Sequence, residues 1–291
     1  MSDSPNILDA IHVTAATDRQ GAAYAAHIPE QWCAPVFPSG GVTTGIALRA
    51  MQAELDQPHQ TLRSFNCMFT STVPAGPIDI DVDRLRVGKR MSQLQAALRP
   101  GGSDDSGHVV TAAFGESREG FEFSYATAPE VDDYSAYSGM PDPPPGYPAF
   151  RAPFFDQVEM RRVLVHAAFE TDWEGGRAEA IRWIRYRTAP RTADGRIDPL
   201  AFVGLADTMP LAIGQYLGPD FPFFHAPSVD LSMRFFADTE DEWFLTRTVA
   251  HWAGDGYASA ENTMWDQQRR LVAHANQLML IRFPKPEDLR L

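Results

Sequence analysis

Cysteine and positive charge are both scarce in this chain. Two cysteines among 291 residues are too few for a disulfide framework or a cysteine-based metal site, and they suit a reducing cytoplasm. Lysine and arginine number 25 against 38 aspartates and glutamates, which gives a formal charge of −13. A nucleic-acid partner requires a basic face that neutralises phosphates, so this balance argues against one. Any anionic ligand must therefore be met by a local basic patch.

Long apolar runs and several familiar functional motifs are also missing. No run approaches eighteen apolar residues, which excludes a membrane-spanning helix. The first residues lack a basic region followed by an apolar stretch, so no signal peptide is predicted. No Gly-x-Ser-x-Gly sequence supports serine-hydrolase chemistry. The eight histidines show no metal-ligand spacing. We therefore expect a cytoplasmic protein without a metal site or a membrane partner.

Proline, by contrast, is abundant and concentrated between residues 128 and 153. Such density cannot sit inside a helix or a central strand, because proline lacks the N–H that both require, so it predicts an extended linker. We expect an N-terminal unit over residues 1–128, the proline-rich linker over 129–153, and a C-terminal unit over 154–291.

The two predicted units repeat one another at a constant spacing. Phe69 and Phe235 are 166 positions apart, and so are Gly88 and Gly254. A further landmark aligns after a small deletion, with residues 108–113 facing residues 270–275. A period this long fits two fused copies of one small domain, rather than a solenoid.

Within each copy the predicted order is a short strand, a helix of about four turns and a run of four strands. The predicted helices cover residues 42–55 and 200–217. The predicted strands cover residues 22–28, 62–70, 78–87, 91–98 and 109–116, then 180–187, 228–236, 243–251, 258–265 and 271–283. One helix followed by consecutive antiparallel strands indicates an α+β layout in which a sheet wraps the helix.

The order of short sequence motifs resembles that of the double-hotdog acyl-CoA thioesterases of the type II class. The residues that carry the resemblance are Ser39-Gly40-Gly41, the basic run 84–90, Leu205-Ala206-Asp207, and the segments 226–235 and 271–277. The resemblance implies an α+β fold of two fused hotdog units, each a long helix wrapped by a curved antiparallel β-sheet. It also implies an acyl-CoA substrate, no cofactor, and a homodimer of double-hotdog chains as a candidate assembly.

The resemblance further implies a catalytic set in the second unit. The family's Asp, Thr or Ser, and Gln, which hold one water against the thioester carbonyl, fall on Asp207, Ser228 and Gln277. The middle residue is commonly threonine, so Ser228 keeps the hydroxyl while departing from the usual side chain. The family's glycine pair falls on Gly40 and Gly41, at the start of the first helix and facing this set.

The residues themselves support part of this set. Asp207 interrupts an apolar helix-like stretch, and the corresponding stretch of the first copy, residues 42–46, has no carboxylate. Gln277 interrupts an apolar face of the last predicted strand. The alternatives are that Asp207 caps a helix kink before Pro210, that Gln277 is a structural core amide, and that Ser228 is an ordinary loop serine.

Two further features have a functional and a plain structural interpretation. Backbone N–H groups at Gly40 and Gly41 could stabilise an oxyanion, or they could simply begin a helix capped by Ser39. A basic run could dock the phosphates of coenzyme A, or it could be a solvated hairpin. Its members are Arg84, Arg86, Lys89 and Arg90.

The leading hypothesis is an acyl-CoA thioesterase that hydrolyses the thioester to a free acid and coenzyme A. One alternative is a non-catalytic acyl-CoA-binding protein. The other is an enoyl-CoA hydratase on the same fold, which is disfavoured because no Asp-x-Asn-x-x-His sequence is present.

Overall fold

Alternating apolar and polar side chains build one large antiparallel sheet in the computed structural model. The structure describes residues 5–16, 23–34, 36–105, 107–145, 152–219, 221–222 and 224–283. Within them, the strands are β1 Thr14–Ala15, β2 Tyr24–Ile28, β3 Thr61–Phe69, β4 Gly76–Arg86, β5 Met91–Pro100, β6 His108–Gly115, β7 Val158–Leu164, β8 Glu179–Tyr186, β9 Asp230–Phe235, β10 Phe244–Gly254, β11 Tyr257–Trp265 and β12 Leu271–Leu280. The helices are α1 Ile7–Ala10, α2 Gly40–Leu55, α3 Pro153–Asp156, α4 Ala201–Ala206 and α5 Pro210–Leu217. The short strands β1 and β7 were not predicted, and the other strands start and end within a few residues of the predicted positions.

The strand order shows the duplication directly. It runs β1-β2-β4-β5-β6-β3-β9-β12-β11-β10-β8-β7, so the two halves meet where β3 pairs with β9. Asn66 lies opposite Ser232 at this seam, and the Ser232 hydroxyl donates to the Asn66 side-chain oxygen at 2.9 Å. These two residues are 166 positions apart, so the pseudo-twofold axis between the halves passes through their pair.

Cross-strand pairing gives the residue correspondence between the halves and corrects one prediction. Ala96 lies opposite Val110, and the equivalent Asn262 lies opposite Ala275. Val110 therefore corresponds to Ala275, and the predicted alignment of residues 108–113 with 270–275 is wrong by three positions. The error arises because register in a sheet is set by pairing with the neighbouring strand, which an apolar run alone does not reveal.

The helix α2 forms the buried centre of the first half. Ser39 caps its start by accepting from the Gly41 N–H at 3.2 Å, as predicted, and Asp56 ends it in the left-handed region with φ of 48°. Small residues let α4 approach its first turn closely. A Cβ on Gly41 would lie 2.5 Å from the Val203 carbonyl oxygen, so only glycine permits this contact.

The helix predicted over residues 200–217 is divided into two helices, and the break lies where a kink before Pro210 was considered. The first segment ends at Ala206, and α5 begins at Pro210. Pro210 has no backbone N–H to donate to a carbonyl of the preceding turn, so it cannot continue the first helix. It occupies the first position of α5, where the N–H of a residue has no partner within the helix. Asp207, Thr208 and Met209 form the break.

The segment that joins the halves is held against the outer face of the second half. Tyr134 stacks on Trp243 with ring centroids 4.6 Å apart, and the Trp183 indole N–H donates to the Asp132 carbonyl at 3.1 Å. The Arg269 side chain donates to the Val131 carbonyl at 2.6 Å. Part of the proline-rich stretch, residues 146–151, lies outside the described residues, and the unit boundaries remain a prediction. No helix in the described part of the chain is both long enough and apolar enough to cross a membrane.

The close contact between α2 and α4 predicts a stability difference between two glycines of one helix. Gly41→Ala should lower the free energy of unfolding by roughly 2–3 kcal/mol, because the new methyl group meets backbone atoms that cannot move away. Gly45→Ala is the matched control, because its methyl group would meet side-chain atoms of Ile11 and no backbone atom, with the Cγ2 atom nearest at 3.1 Å. Urea unfolding followed by circular dichroism measures both. Equal midpoints for the two variants would contradict the close packing at Gly41.

Candidate active site

The Asp207 carboxylate lies in the helix break and accepts hydrogen bonds from both halves of the chain. Its Oδ2 atom accepts from the Ser39 hydroxyl and from the Gly41 N–H, each at 2.9 Å. Its Oδ1 atom accepts from the Gln277 amide at 2.7 Å, and the Ser228 hydroxyl lies 3.5 Å away. The structure thus brings together Asp207, Ser228 and Gln277, as the sequence predicted, and adds Ser39 to them.

Burial and hydrogen bonding act in opposite directions on this acid. Removal of solvent by the surrounding protein raises the pKa of the Asp207 carboxyl, and this is the largest effect. Donors from Gly41, Gln277, Ser39 and Ser228 lower the pKa and only partly offset that rise. Taken as a whole residue, Asp207 is half-buried. A carboxyl with a raised pKa is suited to taking up a proton.

Gln277 reaches this acid from the inner face of β12. Its side chain is only 2% exposed, and its Nε2 atom donates both to Asp207 and to the Ser228 hydroxyl, the latter at 2.6 Å. Its Oε1 atom is buried and has no partner among the described residues. The prediction that one amide interrupts an apolar face is confirmed: Ala273, Ala275 and Met279 on the same face are all buried.

Ser228 occupies a loop position just before β9. The predicted strand over 228–236 instead begins at Asp230, and Ser228 makes only an isolated bridge to Met279. The alternation of inward and outward side chains that begins at Asp230 therefore does not extend to Ser228. Freed from that alternation, the serine hydroxyl turns towards Asp207 and Gln277.

The two glycines at the start of α2 have different surroundings. The Gly41 N–H donates to the Asp207 carboxylate. The sequence suggested that this N–H stabilises an oxyanion, so its partner in the structure differs from the expected one. The Gly40 N–H has no acceptor within the described residues. A Cβ on Gly40 would lie 2.8 Å from the Phe69 ring and 3.3 Å from the Asp207 Oδ2 atom, so glycine lets this ring and the carboxylate approach the start of α2.

The predicted basic run lies away from these residues. Arg84 is bound to Glu54 at 2.7 Å and Arg90 to Glu116 at 3.1 Å, while Arg86 and Lys89 are exposed. Because Glu54 is near the end of α2 and Gly40 at its start, this run is roughly 20 Å from the site. Coenzyme A docking there stays a prediction.

Neither the two cysteines nor a metal cluster offers an alternative reactive group to Asp207 among the described residues. Burial raises the pKa of the Cys67 thiol to about 12, so it is not a thiolate near neutral pH. The pKa of the Cys33 thiol is also raised by burial. Within the described segments, no group of three or more His, Cys, Asp or Glu side chains could hold a metal ion.

Ser39 is the member of the site whose role sequence reasoning missed. The sequence predicted it only as a helix cap, and it does cap α2. Its hydroxyl hydrogen is directed to a carboxylate 168 residues away. Only the close approach of the two helices reveals that second function.

Comparison with protein families assigns both halves of the chain. Residues 28–115 match the acyl-CoA thioesterase N-terminal domain, and residues 131–281 match the acyl-CoA thioesterase C-terminal domain. A search of curated proteins found no match.

Solved structures agree on the fold. A conserved hot dog protein of unknown function from Alicyclobacillus acidocaldarius superposes with a TM-score of 0.76 at 20% identity, covering 96% of this chain and 98% of that one. The acyl-CoA thioesterase II TesB2 from Mycobacterium marinum gives 0.71 at 18% identity, covering 96% and 99%. A dehydratase domain from the CurJ module of the curacin polyketide synthase gives 0.53 at 11% identity, covering 98% and 100%. These likenesses confirm the predicted α+β double-hotdog fold, and the matched domains show that the chain belongs to the acyl-CoA thioesterase family.

Proposed function

We propose that this protein hydrolyses an acyl-CoA thioester to a free carboxylic acid and coenzyme A, with Asp207, Ser228 and Gln277 at the reaction centre. The observation that carries the proposal is that the Ser228 hydroxyl and the buried Gln277 amide both lie against the Asp207 carboxylate, whose pKa is raised by burial. Family membership supports thioester chemistry. The fold alone does not determine the reaction, since a dehydratase domain has a similar fold.

In this proposal, water is the nucleophile and Asp207 is the base. The carboxylate takes a proton from the water as the water oxygen bonds to the thioester carbon. The hydroxyl of Ser228 and the free Oε1 atom of Gln277 hold that water. The carbon–sulfur bond then breaks, and the coenzyme A sulfur leaves with the proton that Asp207 had accepted. No group other than the chain's own residues and water is required.

The oxyanion that forms on attack needs a donor that the carboxylate does not already use. The Gly40 N–H meets this requirement, because it lies at the start of α2, where the helix dipole favours negative charge. The Gly41 N–H and the Ser39 hydroxyl would instead keep the Asp207 carboxylate in place.

A binding protein without catalysis is a second candidate, and one observation favours it. Four protein donors surround the Asp207 carboxylate, which leaves less of its accepting capacity for water. The two candidates differ in one measurable outcome, the release of free thiol from acyl-CoA.

Asp207→Asn should lower kcat/KM for acyl-CoA hydrolysis by at least about a hundredfold, because the amide cannot take up a proton. A thiol-reactive dye measures the released coenzyme A. Asp83→Asn is the matched control, since it removes an exposed carboxylate from β4 in the other half. A folded D207N protein that keeps near-wild-type hydrolysis would eliminate the proposed base.

The same variant also predicts a stability result that separates loss of chemistry from loss of fold. Because burial raises the folded-state pKa of Asp207, this carboxyl favours the folded state when protonated and disfavours it as pH rises through that pKa. At neutral pH, D207N should therefore unfold at a urea concentration no lower than that of the wild type. A clearly lower midpoint would indicate that the carboxylate is structural.

Activity should decline on the acid side with an apparent pKa above the ordinary aspartate value, because protonated Asp207 cannot act as a base. Ser39→Ala removes a hydrogen bond to the ionised form, so the acid limb of the kcat/KM profile should move to higher pH. The profile of Asp83→Asn should coincide with that of the wild type. A shift of the S39A limb to lower pH would be incompatible with this role for Asp207.

A further inference from the structure

A band of buried polar side chains crosses the inner face of the second half, beside the candidate site. It consists of Arg182 on β8, Thr246 and Thr248 on β10, and Asn262 on β11, and none of these residues is more than 2% exposed. Arg182 lies opposite Thr246, and Thr248 lies opposite Asn262, so neighbouring strands carry the band towards β12 and Gln277. Buried polar groups destabilise a core unless they are paired, so this polar band requires an explanation.

The first half provides an internal control for the band. Cross-strand pairing matches Arg182 to Tyr24, and it matches the three other positions to apolar residues. Those residues are Ile80 for Thr246, Val82 for Thr248, and Ala96 for Asn262. Gln277 corresponds in the same way to Ala112. The hotdog fold is therefore built equally well without the polar band.

The hydrogen bonds within the band leave some of its atoms unpaired. The Asn262 side-chain amide donates to the Thr248 hydroxyl at 2.9 Å, but the Asn262 Oδ1 atom is buried without a partner among the described residues. The same holds for the Arg182 Nε atom and, at the candidate site, for the Gln277 Oε1 atom. Unpaired buried polar atoms of this kind mark positions where a water or a ligand group completes the bonding.

Arg182 is also a buried cation without a balancing carboxylate. Its guanidinium donates to the Thr208 hydroxyl and, at 3.1 Å, to the Met160 sulfur, and no described carboxylate hydrogen-bonds to it. Burial lowers the pKa of Arg182 to about 10. The neighbouring Arg162 on β7 differs, because both oxygens of Glu170 bind it at 2.8 Å. A carboxylate is the natural partner for the free side of a guanidinium.

The backbone places Arg182 within reach of the reacting centre. Thr208, which binds Arg182, directly follows Asp207 in the helix break. Consecutive Cα atoms are 3.8 Å apart, so the guanidinium lies no more than roughly 13 Å from the Asp207 carboxylate. A short or medium acyl chain bound at Asp207 could span that separation.

We propose that the polar band lines the acyl-binding region and that Arg182 binds a carboxylate at the far end of the acyl group. The preferred substrates are then dicarboxylyl-CoA thioesters, which carry a thioester at one end and a free carboxylate at the other. Arg182 is a specificity-determining residue, and the flexible Met160 side chain is the contact that the carboxylate displaces. This inference rests on the proposed thioesterase function.

Matched substrates of equal carbon number test the inference. Adipyl-CoA and hexanoyl-CoA differ only in the terminal carboxylate, and released thiol gives kcat/KM for each. The wild type should prefer adipyl-CoA, and Arg182→Met should lower the adipyl-to-hexanoyl ratio tenfold or more, through KM rather than kcat. Arg182→Lys keeps the charge and should restore part of the ratio. Arg185→Met is the control, because this arginine lies on the same strand but binds Glu159 on the opposite face.

A binding measurement without turnover separates this inference from the proposed function. Adipate should raise the melting temperature of the wild type and of D207N but not of R182M, while hexanoate should have a smaller effect. Hydrolysis of hexanoyl-CoA with an adipyl-to-hexanoyl ratio that Arg182→Met leaves unchanged would overturn the inference and keep the thioesterase. Absence of thiol release from every acyl-CoA would overturn the proposed function, and adipate protection lost in R182M would then still support an anion site at Arg182. Equal protection of the wild type and R182M would refute that site.

Discussion

The candidate site depends on the position of one carboxylate at a helix break. Asp207 can lie there because Pro210 ends the continuity of the helix, and because Gly41 lets the two helices approach until its N–H reaches the carboxylate. The same acid is held from β12 by Gln277 and from a loop by Ser228. Neither half of the chain could build this environment alone, so the candidate site requires residues from both units.

Duplication makes it possible to distinguish what the fold needs from what a function needs. Both halves keep a buried helix and a wrapping sheet, and the seam between β3 and β9 preserves their symmetry. They differ where the second half buries polar atoms, at the Asp207 centre and along the band that ends at Arg182. Since the first half has apolar residues at the positions equivalent to Thr246, Thr248, Asn262 and Gln277, the fold does not require these polar groups, and the asymmetry favours ligand binding over structural roles.

Much of the architecture was predictable because it follows from local sequence patterns. The phase of alternation placed Gln277 on an inner face, and Ser39 was recognisable as a helix cap. Contacts between distant segments were not predictable in the same way. The Gly41 N–H and Asp207 are 166 residues apart, and no periodicity reports which partner that N–H finds. Ser228 was ambiguous because a residue just before a strand has no fixed phase. The burial of Arg182 was not predictable, since alternation separates the two faces of a strand but does not show which face is buried.

The central claim is that water, activated at Asp207, attacks the thioester directly. A single-turnover reaction in water labelled with oxygen-18, followed by mass spectrometry of both the acid and the protein, tests it most directly. The account predicts one labelled oxygen in the released acid and no label in the peptide that contains Asp207. Label in that peptide, with an unlabelled acid, would show that the carboxylate is itself the nucleophile and would contradict the account.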